Sequence, residues 1–257
     1  MSGGLAAAWR QVRFTNKAFW RNPAAAFFTF VFPLMFLVIF TVLFGGGTVF
    51  IAGREVSVST FYVPAIAAFS VITACFTNIA MSVTFARDEG VLKRIRGTPM
   101  PGWSYILGRV THAVFVALLL VVICVTFGVV FYGVSVPTTT LPAFVVTIAI
   151  GSATFAALGL AIVALIPNAD AAPAIVNAAI LPLLFISNVF IPLQNPPAWI
   201  DVLGGIFPVR PFADATLASF FAPTGNGFEG ADLLVLAIWG VAGVVLAARF
   251  FTWEPRT

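Results

Sequence analysis

The sequence predicts an all-α polytopic membrane protein, and three observations carry that prediction. Of its 257 residues, 61% are apolar and only 9% are charged, against about 25% charged in an ordinary soluble domain. The apolar residues cluster into runs of about twenty, the length at which a helix crosses the hydrocarbon of a bilayer. Lysine and arginine gather between alternate runs, which places them all on one side of the membrane.

The first element is an amphipathic helix over 5–22. At 100° per residue Arg10, Arg13, Lys17 and Arg21 share one arc, while Leu5, Trp9, Val12, Phe19 and Trp20 fill the adjoining one. A helix of this kind lies in the membrane interface, either as an anchor or beside a cytoplasmic partner. The first span follows at 24–44. It begins too late and runs too long for a secretory signal core, and no small-residue cleavage pattern precedes Gly45-Gly46-Gly47, so it is expected to be retained. Further spans are expected at 61–86, 103–132 (apolar from Ala113 onward), 141–165, 171–193 and 231–251, six in all. Pro33, Pro64, Pro173 and Pro182 inside these runs predict kinks rather than breaks.

Six spans put Arg10, Arg13, Lys17, Arg21, Arg87, Lys93, Arg94, Arg96, Arg249 and Arg256 on the cytoplasmic side, and both termini with them. Arg54 and Arg210 remain outside with Glu55, Asp201, Asp214, Glu229 and Asp232.

Two connections do more than link spans. In the cytoplasmic loop a helix is expected over 88–96, with Val91, Leu92 and Ile95 as a narrow apolar face and Glu89, Lys93, Arg94 and Arg96 around the rest. Its acids precede its bases, as the helix dipole favours, and Gly97 and Pro99 end it. Docking in a protein groove and lying on lipid fit these residues equally. The outer connection 194–230 is rich in proline but keeps apolar stretches at 199–207 and 212–221 that are too short to span. They read as short re-entrant helices or as a structured loop.

Several chemistries find no residues here. Neither glycine-rich stretch is followed by Lys-Ser/Thr, so the chain lacks a P-loop, and no HExxH, CxxC or nucleophile-elbow pattern occurs. Cys75 and Cys124 read as small hydrophobes and His112 as a hydrogen-bonded helix residue, so no catalytic or metal site is expected. Nucleic acid is not an expected partner. The spans carry none of the mid-membrane Asp, Glu or Lys residues that ion-coupled carriers use. Their neutral polar groups, Ser70, Thr77 and Ser152 among them, suit helix-to-helix bonding. A membrane chain with a docking helix and no nucleotide site points to an external motor.

The segment Arg87-Asp88-Glu89-Gly90-Val91-Leu92-Lys93-Arg94-Ile95-Arg96-Gly97-Thr98-Pro99 resembles the acidic-Glu-x-Gly-Thr-Leu-Lys-Arg-Leu-x-x-Thr-Pro signature of ABC-2-type transporter permeases, with Val91 in place of threonine. The stretch Phe185-Ile186-Ser187-Asn188-Val189-Phe190-Ile191-Pro192 is similar to that family's Leu-Ser-Gly-x-x-Phe-Pro, with Asn188 where glycine is usual. The resemblance extends over the whole chain and is nearest to daunorubicin/doxorubicin-resistance-type drug-efflux permeases.

The resemblance implies a coupling helix, through Asp88, Glu89, Val91, Leu92, Lys93, Arg94 and Ile95, received by a separate ATPase subunit. It also implies a connecting helix bearing Arg10, Arg13, Lys17 and Arg21, and short re-entrant helices capping the pathway. Two permeases, identical or paralogous, would pair with two ATPase copies that hold ATP and Mg, in a bacterial inner membrane. Substrate would meet the second and fifth spans through Phe69, Thr73, Asn78, Asn177, Phe185 and Asn188, where aromatic walls with sparse polar groups suit drugs or amphiphilic metabolites. Export of a lipid-linked glycan, a lipid or Na⁺ belongs to the same class. An ion-coupled secondary carrier and a membrane scaffold are the readings from other classes.

Overall fold

Asn22 and Pro23 set the joint between the first two helices. The Asn22 side chain accepts a hydrogen bond from the Ala25 amide at 3.1 Å, and Pro23 takes the first helical position, where its missing N–H costs nothing. In the computed structural model, which describes residues 2–51, 53–193, 196–221 and 226–254, this joint separates α1 (Ser2–Trp20) from α2 (Pro23–Phe44). The expected amphipathic helix and first span are thus both helical.

A two-stranded antiparallel hairpin then departs from the all-α expectation: β1 (Thr48–Ile51) pairs with β2 (Arg54–Ser57). Val49 and Val56 sit opposite each other and are buried, while Phe50 faces outward, the alternation that a half-covered ribbon requires. Ser57 closes the hairpin and caps the next helix by accepting from the Thr60 amide.

That helix is α3 (Val58–Ile72), which passes through a π-turn (Thr73–Thr77) into α4 (Asn78–Asp88) to make one continuous span of 31 residues. After a turn at Glu89-Gly90 come α5 (Val91–Arg96), α6 (Gly102–Tyr132) and α7 (Leu141–Ile162). The chain continues with α8 (Ala172–Phe185), α9 (Ala198–Ile206), α10 (Val209–Phe221) and α11 (Gly230–Phe250).

Five of these helices, rather than six, are long and apolar enough to cross a membrane: Pro23–Phe44, Val58–Asp88, Gly102–Tyr132, Leu141–Ile162 and Gly230–Phe250. The run expected to span at 171–193 contains α8, whose 14 residues reach about 21 Å at 1.5 Å per residue, short of a hydrocarbon core of about 30 Å. The helix stops because Ser187 turns its hydroxyl back onto the Leu184 carbonyl and Asn188 takes the Leu193 amide, which pulls the chain into a turn. In the outer connection, both apolar stretches fold as the short helices α9 and α10. Positions 194, 195 and 222–225 of that connection lie outside the described residues.

The buried centre is the α3–α4 span, packed by α2, α6, α7 and α10. Lipid offers no hydrophobic drive between helices, so small residues and hydrogen bonds set their contacts. A Cβ on Gly243 would lie 3.0 Å from the α7 backbone at Ala157, and the Thr154 hydroxyl donates to the Leu236 carbonyl at 3.0 Å, which joins α7 to α11. Gly151 makes room for the fully buried ring of Phe212, which seats α10 in the core.

Candidate coupling face and translocation face

The loop after α4 is built on a reversal. Gly90 has φ +69°, the left-handed region that glycine enters without strain, so the chain folds back and starts α5 at Val91. The helix expected over 88–96 is therefore divided: Asp88 is the last residue of α4, and Glu89 lies in the turn. Leu92 is fully buried, Val91 and Ile95 pack partly against the core, and Lys93, Arg94 and Arg96 are exposed. An apolar foot thus fixes a basic tip that faces away from the bundle.

The expected connecting helix, α1, lies along the first half of α6. The Ser104 hydroxyl donates to the Gly4 carbonyl at 2.9 Å, and Gly108 leaves room for Gln11. Its four basic residues, Arg10, Arg13, Lys17 and Arg21, are all exposed, and so are Leu5, Trp9 and Trp20 of the apolar arc. Gly4, Ala7, Ala8 and Gln11 meet the protein instead. His112 of α6 is buried edge-on against Phe19 with ring centroids 5.6 Å apart, and its Nε2 has no hydrogen-bond partner among the described residues, unlike the expectation from sequence. Between α1 and residues 98–101 opens a groove of about 670 Å³ lined by Gly4, Arg10, Phe14 and Met100.

Arg87, grouped from sequence with the cytoplasmic loop charges, has a fully buried side chain, a placement that no sequence feature signals. Its guanidinium donates to the carbonyls of Val163 at 3.0 Å, Ile166 at 2.7 Å and Pro167 at 3.3 Å, just past the end of α7. A cation suits that site, where unpaired carbonyls and the negative end of a helix dipole converge. The neighbouring Asp88 accepts from the Ala169 amide and lies 3.6 Å from the Arg87 Nε. A coupling residue by sequence is thus also an internal one.

The six expected pathway residues separate by location. Asn78, Asn177 and Phe185 are exposed, the last two on one stripe of α8 with Leu181. Thr73 begins the π-turn and bonds back to the Phe69 and Ser70 carbonyls. Phe69 is buried in an aromatic cluster centred on Phe190, whose ring centroid lies within 6 Å of Phe36, Phe40, Phe69 and Phe185. Asn188 donates to Asp214 Oδ1 and accepts from the Leu193 amide. Phe190 was not singled out from sequence, although it lies within the Phe185–Pro192 motif.

Arg210 reaches Asp201 at 2.7 Å and Asp214 at 3.4 Å, which ties α9, α10 and the turn after α8 into one bracket. Burial pushes the Asp214 carboxyl above the usual range, against the opposing pull of Asn188 and Arg210. A second groove of about 660 Å³, lined by Phe76, Phe155, Leu183, Phe207 and Trp239, opens between α7, α8 and α11. The Trp239 indole N–H donates to the Ile206 carbonyl at 2.7 Å across one end of it. No cluster of His, Cys, Asp or Glu suited to a metal occurs among the described residues.

These features define a multipass helical membrane protein with an N-terminal helix whose basic residues are exposed and an amphipathic elbow after its second long helix. Residues 6–221 match the model of the ABC-2 type transporter family, and the chain belongs to that family. It is 26% identical over 156 residues to the probable multidrug ABC transporter permease YbhR of Escherichia coli K12, covering 61% of this chain and 42% of YbhR. The matched part is therefore less than half of that relative's length. It is also 26% identical to the putative transport permease ycf38 of Cyanophora paradoxa, over 88% of this chain and 82% of the relative. The corresponding permease of Pyropia yezoensis is 25% identical over 86% of this chain and 75% of its own length.

Proposed function

We propose that the chain is the permease subunit of an ATP-driven exporter of drugs or other amphiphilic molecules, coupled to a separate ATPase subunit. The observation that carries this reading is the elbow at Gly90: within an ABC-2 family chain, α5 stands on the buried Leu92 and turns Lys93, Arg94 and Arg96 outward. Such a tip suits an acidic-rimmed groove on a motor, and the exposed bases of α1 flank it. ATP and Mg belong to that motor.

In this reading α8, though short, completes a sixth crossing together with the turn that follows it, and both ends of the chain lie in the cytoplasm of a bacterial inner membrane. The open stripe of Asn177, Leu181 and Phe185, with Asn78 beside it, faces a second permease, and substrate passes between the two. Phe69 and Phe190 form the wall behind that stripe. ATP closure of the motor moves α5, and the packed helices pass from one arrangement to another. The name of YbhR favours amphiphilic drugs over a glycan, a lipid or Na⁺ as cargo.

The test is co-purification. A tagged permease expressed with the ATPase subunits of its host should bring one of them through detergent purification. Reversing charge at Lys93 and Arg94 should release it, and retention of the ATPase by the reversed variant would remove the basis of the proposal.

A further inference from the structure

We infer that Arg87 and Asp88 form the element that makes α8 move with the coupling helix. The inference rests on the reading of α5 as the docking site of a motor, and it adds the route by which that motion reaches the translocation face.

The chain leaves α4 through these two residues and enters α5 after only Glu89 and Gly90, so a displacement of α5 pulls on Arg87 and Asp88. Their side chains reach into the connection between α7 and α8. Arg87 holds the carbonyls at 163, 166 and 167, and Asp88 holds the amide at 169. The connection is itself stiff where they grip it, because Asn168 accepts from the Ala171 amide at 2.9 Å and Ala169 accepts from Ala172 at 3.2 Å, the first residue of α8.

Elsewhere α8 is held by apolar packing: Ala172, Val176, Ile180 and Leu184 are buried, chiefly against α4 and α10, while Ala174, Asn177, Ala178, Leu181 and Phe185 face out of the subunit. The polar grip adds a directional attachment to the coupling segment. Bonds between a buried guanidinium and carbonyls are charge-assisted and leave a buried charge stranded when broken, so the grip holds under load better than apolar contacts, which slide. A guanidinium also spans three acceptors at once, which an ammonium cannot do in the same geometry. The left-handed turn at Gly90 confines bending to the point just beyond the grip.

The experiment uses the full chain with its ATPase in membranes and follows two introduced thiols, Gly97→Cys immediately after α5 and Ala178→Cys on α8. Both positions are exposed, whereas Cys75 and Cys124 are fully buried and add little background. Labelling rates with a thiol-reactive reagent are compared with and without a non-hydrolysable ATP analogue. With Arg87 and Asp88 intact, both positions should respond to nucleotide. In Arg87→Lys and Asp88→Ala the response at 97 should persist and that at 178 should be lost. Should Arg87→Lys fail to assemble, Asp88→Ala, at a side chain that is partly exposed, decides alone. A response at 178 that survives in the variants, even with a lower melting temperature, makes the pair a static brace and overturns the inference. Absence of any nucleotide response at 97 with Arg87 and Asp88 intact overturns the motor reading, and this inference falls with it.

Discussion

Gly159 of α7 lies against the carbonyl of Phe76: a Cβ at Gly159 would stand 2.8 Å from that oxygen and 2.9 Å from the one on Cys75. Both carbonyls belong to the π-turn, so the widened turn of the central span fits only where the neighbouring helix has no side chain. Gly159→Ala must shift one backbone against another. The expected cost is about 1–3 kcal/mol, from overpacking. It is read as a lower melting temperature in detergent, while Ala153→Gly, at an exposed position of the same helix, supplies the control for helix propensity.

Phe190 joins α2, α3 and the end of α8 through ring contacts with Phe36, Phe40, Phe69 and Phe185. Phe190→Ala should lower stability by about 3 kcal/mol, the low end for a buried aromatic because lipid rather than water surrounds the bundle. The same variant should open a leak to small dyes in vesicles without ATP. Phe190→Leu, which refills most of the volume, should restore the barrier.

Asn188 holds Asp214 with one end of its amide and the Leu193 amide with the other. Asn188→Ala strands both partners, at about 1–3 kcal/mol. Limited proteolysis should then cut the connection after α8 faster than in the native chain, and equal cutting would show that Arg210 alone holds the bracket.

The Asp214 carboxyl is raised mainly by burial, so the folded chain binds its proton more readily than the unfolded chain does. Stability contributed by that proton is present at low pH and is lost as pH climbs from the ordinary aspartate value of about 3.9 through the raised one. The groups acting on it are Arg210, Asn188, Asp201 and Asp232. Melting temperatures measured across this window should fall with rising pH in the native chain. Asp214→Asn, neutral throughout, should flatten that slope.

The legible part of the fold followed from periodicity. Runs of twenty apolar residues fold as helices because backbone groups in lipid have no other partner, and Pro33 and Pro64 sit inside helices as expected. The apolar and basic faces of 91–96 were legible, but the reversal at Gly90 was not, since a continuous helix over 88–96 was expected. What sequence could not supply depended on distant partners. The π-turn needs Gly159, far along the chain, to accommodate it. The strands 48–51 and 54–57 are too short to outweigh the glycines before them. The early end of α8 depends on Asn188 finding Leu193 and Asp214. Arg87 follows the positive-inside pattern like any loop arginine, and only the carbonyls at the end of α7 show that it is buried.

The central claim is that this chain forms a pathway driven by a motor it does not contain. The most direct measurement reconstitutes the permease with its co-purified ATPase in liposomes and follows accumulation of an amphiphilic dye. Uptake into inside-out vesicles should require ATP and should be lost in the double variant Lys93→Glu, Arg94→Glu. Dye transport by the permease alone, driven by a proton or sodium gradient and indifferent to ATP, would contradict the account.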